Sequence, residues 1–123
     1  MVPTKLLMAA AATVVTGDFD RDGVLDQAFV RSANGELQVV IRGHSGEAIV
    51  YTAQPGGEPP YLGKLPAGTY ATACAKGIGS RKVPCDPRSI RVAGDTLAFG
   101  TPEASQAAVL WSDGRYRVVW LSD

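Results

Sequence analysis

The chain has 123 residues, of which 46% are hydrophobic and 20% charged. That composition excludes a disordered segment and fits one domain with a modest core. Twelve basic residues balance twelve acidic ones, so the formal charge is zero and gives no electrostatic case for nucleic acid.

Pro3 to Ala12 is the one helix candidate, with proline in the first turn and Lys-Leu-Leu-Met-Ala as helix formers. Leu6 to Ala12 also resembles the apolar core of a signal peptide. With its flanks it is too short for a leader, Lys5 is its only charge, and it is too short to span a bilayer. The chain is therefore expected to be a mature domain without a membrane span.

Thr13-Val14-Val15-Thr16 is β-branched and reads as a strand. It runs into Gly17-Asp18-Phe19-Asp20-Arg21-Asp22-Gly23-Val24-Leu25-Asp26. Asp18, Asp20, Asp22 and Asp26 place four carboxylates in nine residues, and they repel one another unless a cation or water separates them. With Asp18 as loop position one, carboxylates fall at about positions 1, 3, 5 and 9, the Val24 carbonyl at 7 and Gly23 at 6, as in a calcium loop. An EF-hand would close with glutamate at position twelve, where this chain has Phe29. The loop is thus expected to join two strands and to hold Ca²⁺ through Asp18, Asp20, Asp22, Asp26 and the Val24 carbonyl, with water completing the shell. The alternative is an acidic turn without metal.

Residues 14–31 resemble one FG-GAP/VCBS-type repeat, which reads G-D-F-D-x-D-G-x-x-D before a short apolar strand. Gly17, Asp18, Phe19, Asp20, Asp22, Gly23 and Asp26 match that pattern. The resemblance implies a calcium-stabilised, extracytoplasmic β-domain, with the loop between strands of a propeller blade. One such loop is present, where a full propeller would carry several.

Further along, Gln27–Arg31 is expected to be the strand leaving the loop. Asn34-Gly35 marks a hairpin into Leu37–Arg42, and Gly43-His44-Ser45-Gly46 turns that strand back into Ala48–Thr52. Residues 54–60, rich in proline and glycine, read as a surface loop anchored by Tyr61 and Leu62. Extended structure resumes at Thr69–Cys74. Ser89–Val92, a Gly94-Asp95 turn and Thr96–Phe99 read as a hairpin. Ala107–Trp111 and Tyr116–Trp120 flank Asp113-Gly114 as another. The expected fold is mainly β: one domain over residues 1–123, a twisted antiparallel sheet or small β-sandwich, or a propeller-like meander, of eight or nine strands with one short N-terminal helix.

Cys74 and Cys85 are the only cysteines. They read as one disulfide, which places the domain in the periplasm or another extracytoplasmic compartment. Zinc would need two further ligands, and His44 is the only histidine.

No catalytic constellation emerges. Gly43-His44-Ser45-Gly46-Glu47 lacks the last glycine of a nucleophile elbow and is followed by a strand. Two paired cysteines leave no thiolate. Gly77-Ile78-Gly79-Ser80-Arg81-Lys82 lacks the phosphate-loop spacing. The expectation is a non-enzymatic protein. Its size, compartment and loop-rich β character are similar to those of periplasmic immunity proteins that neutralise type VI secretion effectors. That resemblance implies a loop inserted into the active site of a secreted peptidoglycan amidase. The candidate contact residues are His44, Ser45, Glu103, Ser105 and Gln106, with the 76–83 loop beside them. The alternative is a structural or accessory calcium-binding domain of an envelope or adhesion protein. Without its four loop aspartates the chain carries 12 basic and 8 acidic residues, a balance of +4 that suits an anionic partner.

Overall fold

The computed structural model describes residues 14–53, 59–76, 88–101 and 105–122. The expected N-terminal helix, the 54–58 loop, most of the 76–83 loop, Cys85 and Glu103 lie outside them. Among the described residues there are ten strands and one 3-10 turn at Cys74–Lys76.

The first four strands follow one another as an antiparallel meander: β1 (Val14–Gly17), β2 (Asp26–Ala33), β3 (Glu36–Gly43) and β4 (Gly46–Ala53). Their turns are those expected from Asn34-Gly35 and from His44-Ser45. Asn34 and Gly35 both take positive φ, 53° and 79°, as this turn requires. Period-two alternation turns Val15, Ala28, Val39 and Ile41 inward. A bulge opposite Val39 and Val40 lets Val50 and Tyr51 of β4 both pack against the core.

The second sheet has the order β10 (Arg115–Ser122), β9 (Gln106–Ser112), β8 (Thr96–Gly100), β5 (Tyr61–Leu65). Between β5 and β8 the chain inserts a separate antiparallel pair, β6 (Gly68–Ala71) with β7 (Ser89–Val92). Tyr61 and Leu62 therefore begin a strand rather than anchor a loop. The expected hairpin of 89–92 with 96–99 does not form, because β7 pairs with β6 and β8 pairs with β5 and β9. Burial gives the reason. All five residues of β8 are buried, so this strand needs neighbours along both edges and cover on both faces.

Both faces of the second sheet are covered. Leu97, Phe99, Ala107 and Val109 face the first sheet and share one core with it. Ala108, Val119 and Leu121 face the inserted pair and pack on Ile90 and Val92. The result is a sandwich with a third, smaller layer, and the second sheet is the middle one. Phe99 sits at the centre of the inter-sheet core, 4.7 Å from the Tyr51 ring and 5.6 Å from Trp120.

Phe99 is wholly buried. Phe99→Ala should lower stability by about 3–5 kcal/mol. Urea unfolding followed by Trp120 fluorescence checks this: the midpoint should fall with an unchanged slope.

Cys74 opens the 3-10 turn with its Sγ 3.3 Å from Thr72 Oγ1. The expected bridge to Cys85 involves a residue outside those described, and mass spectrometry decides it. Non-reducing alkylation of the folded protein should add no label, and reduction should expose two sites.

Candidate metal centre and its surroundings

The loop from β1 to β2 spans a single antiparallel pair, with Gly17 opposite Asp26. Phe19 anchors it by entering the shared core. Its ring lies where a side chain on Gly17 would be, 2.8 Å from an ideal Cβ, so residue 17 must be glycine for Phe19 to seat. The chain then winds back on itself through Arg21 at φ 61° and Gly23 at φ 85°. A long side chain takes that conformation only at a cost. Arg21 is held there by Nη2, which donates to the Gly94 carbonyl at 2.9 Å and to Thr96 Oγ1 at 3.1 Å.

Inside the loop the backbone amides point at carboxylates. Asp18 accepts from the N–H groups of Asp22 and Gly23, at 3.1 and 3.0 Å. Asp22 accepts from the Val24 N–H at 2.9 Å. Asp26 Oδ2 accepts from the Phe19 and Asp20 N–H groups at 2.9 and 3.3 Å. One carboxylate oxygen from each of Asp18, Asp20, Asp22 and Asp26 lies within 4.8 Å of all the others. The structure thus gathers the four aspartates expected from their spacing.

The second oxygen of Asp26 is different. Asp26 is fully buried, and its Oδ1 has no hydrogen-bond partner among the described residues. A buried polar atom in that condition costs free energy unless something positive meets it. Next to it stands Gly43, the last residue of β3. A Cβ on Gly43 would lie 2.6 Å from Asp26 Oδ1 and 3.7 Å from Asp20 Oδ2. The missing side chain leaves room around the orphan oxygen, on the side where Asp20 also reaches.

Asp95, on the connection from β7 to β8, ties the loop to the second sheet. Its Oδ2 accepts the Asp18 N–H at 3.1 Å, and its Oδ1 meets Lys64 Nζ at 3.2 Å. The Asp18 amide and the Lys64 ammonium together hold the Asp95 carboxyl below its ordinary range. In the sequence Asp95 belongs to a Gly94-Asp95 turn, with no sign of this role. Its signal is conformational, since Asp95 sits at φ 46°, and no local pattern shows that the turn lies against residues 18–21.

The other expected contact residues do not come together. His44 and Ser45 are exposed in the β3–β4 turn, beside the aspartate loop. Gln106 begins β9 at the opposite end of the sandwich, and Ser105 just before it accepts the Thr101 N–H on its carbonyl. The aromatics also divide. Trp120 and Tyr116 both pack against the core, whereas Trp111 does not; Trp111 and Tyr116 stack edge to face, centroids 4.8 Å apart. With Asp20, Gly43, Ser45 and Arg115 they line a cleft of about 450 Å³ between the two sheets. Burial, and then the negative charge of the four aspartates, pushes the Tyr116 hydroxyl pKa well up.

The chain matches no protein-family model, and no curated protein or solved structure is significantly similar to it.

The loop carboxyls predict an unusual pH dependence for the metal-free protein. Partial burial beside Asp22 and Asp26 raises the Asp20 pKa to about 6. The folded state therefore takes up a proton there that the unfolded chain does not bind until about pH 4. Stability from this group is full below the unfolded value and is lost as pH rises through about 6. Asp22, Glu47 and Asp95 are shifted the other way, so their contribution disappears only at more acid pH. In EDTA the melting temperature should rise from pH 7 to about pH 5 and fall below about pH 4. Asp20→Asn should flatten the upper limb.

Proposed function

We propose that the loop at 18–26 binds Ca²⁺ and that the protein is a non-enzymatic binding module of the cell envelope, kept rigid by the ion. The observation that carries the metal reading is the orphan Oδ1 of Asp26, buried against the bare face of Gly43 and within reach of three other carboxylates. The donors are all oxygen, which suits a hard cation. Asp18, Asp20, Asp22 and Asp26 would hold it together with the Val24 carbonyl. Such an ion would bring the two sheets into one rigid end, because Asp95 and Arg21 already link the loop to the connection from β7 to β8.

On this reading the ion is structural, and contact with a partner is made by turns that the scaffold has already ordered. An immunity protein that blocks a secreted peptidoglycan amidase is the specific form we favour. Its contact surface then lies at one end of the sandwich. His44 and Ser45 are the better candidates, since Ser45 borders a cleft next to the calcium loop while Ser105 and Gln106 lie far from it. The alternative, an accessory calcium domain of an envelope or adhesion protein, needs no partner at this end.

Calorimetry with EDTA and then excess Ca²⁺ tests the ion. A ligand that binds only the folded state raises its melting temperature. The wild type should respond, while Gly43→Ala should fold and respond little or not at all, its methyl group crowding Asp26 Oδ1. Superimposable wild-type melting curves would remove the calcium reading. A pull-down from envelope extract, run with calcium and with chelator, tests the partner. Ser45→Trp should weaken capture about 10-fold, or 1.4 kcal/mol, and Ser105→Trp should leave it unchanged. Equal capture by both variants, or no partner, favours the accessory domain.

A further inference from the structure

The cleft of about 450 Å³ between the two sheets reaches the aspartate loop, and strand register decides what faces into it. Gly43 follows Ile41 by two positions on β3, on the face turned to the core, so the side chain that Gly43 lacks would project into the cleft. Ala48 stands opposite Ile41 and shares that face. Across the gap, Trp111 pairs with Tyr116 as Val109 pairs with Val118, on the face of the second sheet that packs against the first. One wall is therefore aliphatic and the other partly aromatic.

Among the described residues, Asp20, Glu47 and Arg115 are the charged ones that line the cleft. Glu47 stands opposite Arg42, on the outer face of the first sheet, and is bound by Arg31 and Arg42. Arg115 is exposed and alternates with Tyr116, which turns it away from the first sheet. Asp20 is left facing the space. Its Oδ2 lies 3.7 Å, and Asp26 Oδ1 2.6 Å, from the point where a Cβ on Gly43 would stand. Two carboxylates thus converge on the place that the missing side chain leaves open, and the buried Asp26 Oδ1 has no partner there among the described residues. The field of the loop also extends along the cleft. After burial, the negative charge of Asp26, Asp20, Asp22 and Asp18 is what pushes up the Tyr116 hydroxyl pKa.

The sign of that field selects a cation. The orphan oxygen needs a hydrogen-bond donor, which a primary ammonium supplies and a quaternary one does not. The two acceptors belong to different carboxylates around one point, which suits a compact ammonium better than the planar fork of a guanidinium. Aromatic rings accept both an aliphatic stem and a cation near their faces.

We infer that this end of the cleft binds the side chain of a lysine presented by a partner protein, with its ammonium between Asp20 and Asp26 and its stem along Trp111 and Tyr116. The inference rests on the binding-module reading only in drawing the lysine from a partner. Ammonium and Ca²⁺ would use the same oxygens and so exclude each other, and the lysine site belongs to the ion-free protein.

The test is a titration of the full chain in EDTA at neutral pH, followed by the indole N–H resonance of Trp111. The probe is the blocked pentapeptide Gly-Gly-Lys-Gly-Gly, and the control carries norleucine, the same stem without charge, in place of lysine. The lysine peptide should bind at least about 10-fold tighter than the control and weaken with added salt. A trimethyl-lysine peptide, which has the charge without the donors, should bind more weakly than lysine. Asp20→Asn should abolish the preference for lysine over norleucine, while Arg115→Gln should retain it. Because the measurement is made in chelator, it stands whether or not the loop takes Ca²⁺. Equal affinity for the lysine and norleucine peptides overturns the proposal, as does an Asp20→Asn variant that still discriminates or a trimethyl-lysine peptide that binds as tightly as lysine. Binding of n-butylamine without binding of the lysine peptide would mark a site for a free amine and overturn it too.

Discussion

A carboxylate sealed inside a β-sandwich has few ways to be tolerated, and Asp26 meets only some of them. Two backbone amides satisfy one oxygen, and among the described residues no group satisfies the other. Burial of an unpaired polar atom opposes folding by an amount comparable to a lost hydrogen bond or more. The surrounding architecture follows from that problem. The loop wraps so that amides converge on Asp26 and Asp18. Gly43 gives up its side chain, and Phe19 enters the core to hold the loop against the sheet. The strained Arg21 is braced from the β7–β8 connection. Each of these features adds little alone. Together they make sense around a positive charge at the orphan oxygen.

The same loop was the most legible part of the sequence, since the spacing of its aspartates is a local property of the chain. The hairpins at Asn34-Gly35, His44-Ser45 and Asp113-Gly114 were legible for the same reason. Their turn chemistry is encoded within a few residues, and their flanking strands pair with the nearest neighbour. What was not legible was long-range. Ser89–Val92 and Thr96–Phe99 look like a hairpin because they are adjacent and separated by Gly94-Asp95. They part company because one covers the middle sheet and the other forms its centre. Nothing in either segment states which face will be covered by a layer that begins twenty residues earlier. The pairing of Tyr61–Leu65 with Thr96–Gly100 was hidden in the same way, behind a proline-rich approach that made residue 61 look like the end of a loop.

The contact residues illustrate a different limit. In the sequence His44, Ser45, Ser105 and Gln106 are polar, and their criterion as contact residues is a place between strands without a role in the core. That criterion selects turns, and a sandwich has turns at both ends. Only the strand register separates them, putting Gly43 and Gly46 beside the aspartate loop and Gly100 and Gln106 at the other end. The cleft shows the converse. Asp20, Gly43 and Trp111 are far apart in sequence and share no motif, yet the two sheets bring them to one cleft.

The inserted pair has a consequence for how the molecule assembles. The first sheet is a meander in which every strand pairs with its successor, so each contact closes a short loop and can form early. The second sheet resembles it in strand pattern but is interrupted. β5 pairs with β8 only after the chain has passed through β6 and β7, with Leu62 meeting Phe99 across the gap. Closing that distance costs chain entropy before any β-ladder bond rewards it. The edge of the middle sheet is therefore the part of the fold that waits longest, and until it closes the Phe99 core stays open on that side. A nascent chain leaves the ribosome in the matching order: the local meander first, then β5 unpaired, then the inserted segment, and the strand that completes the core only near the end. During that interval both sides of β5 are open, which exposes it to pairing with another copy.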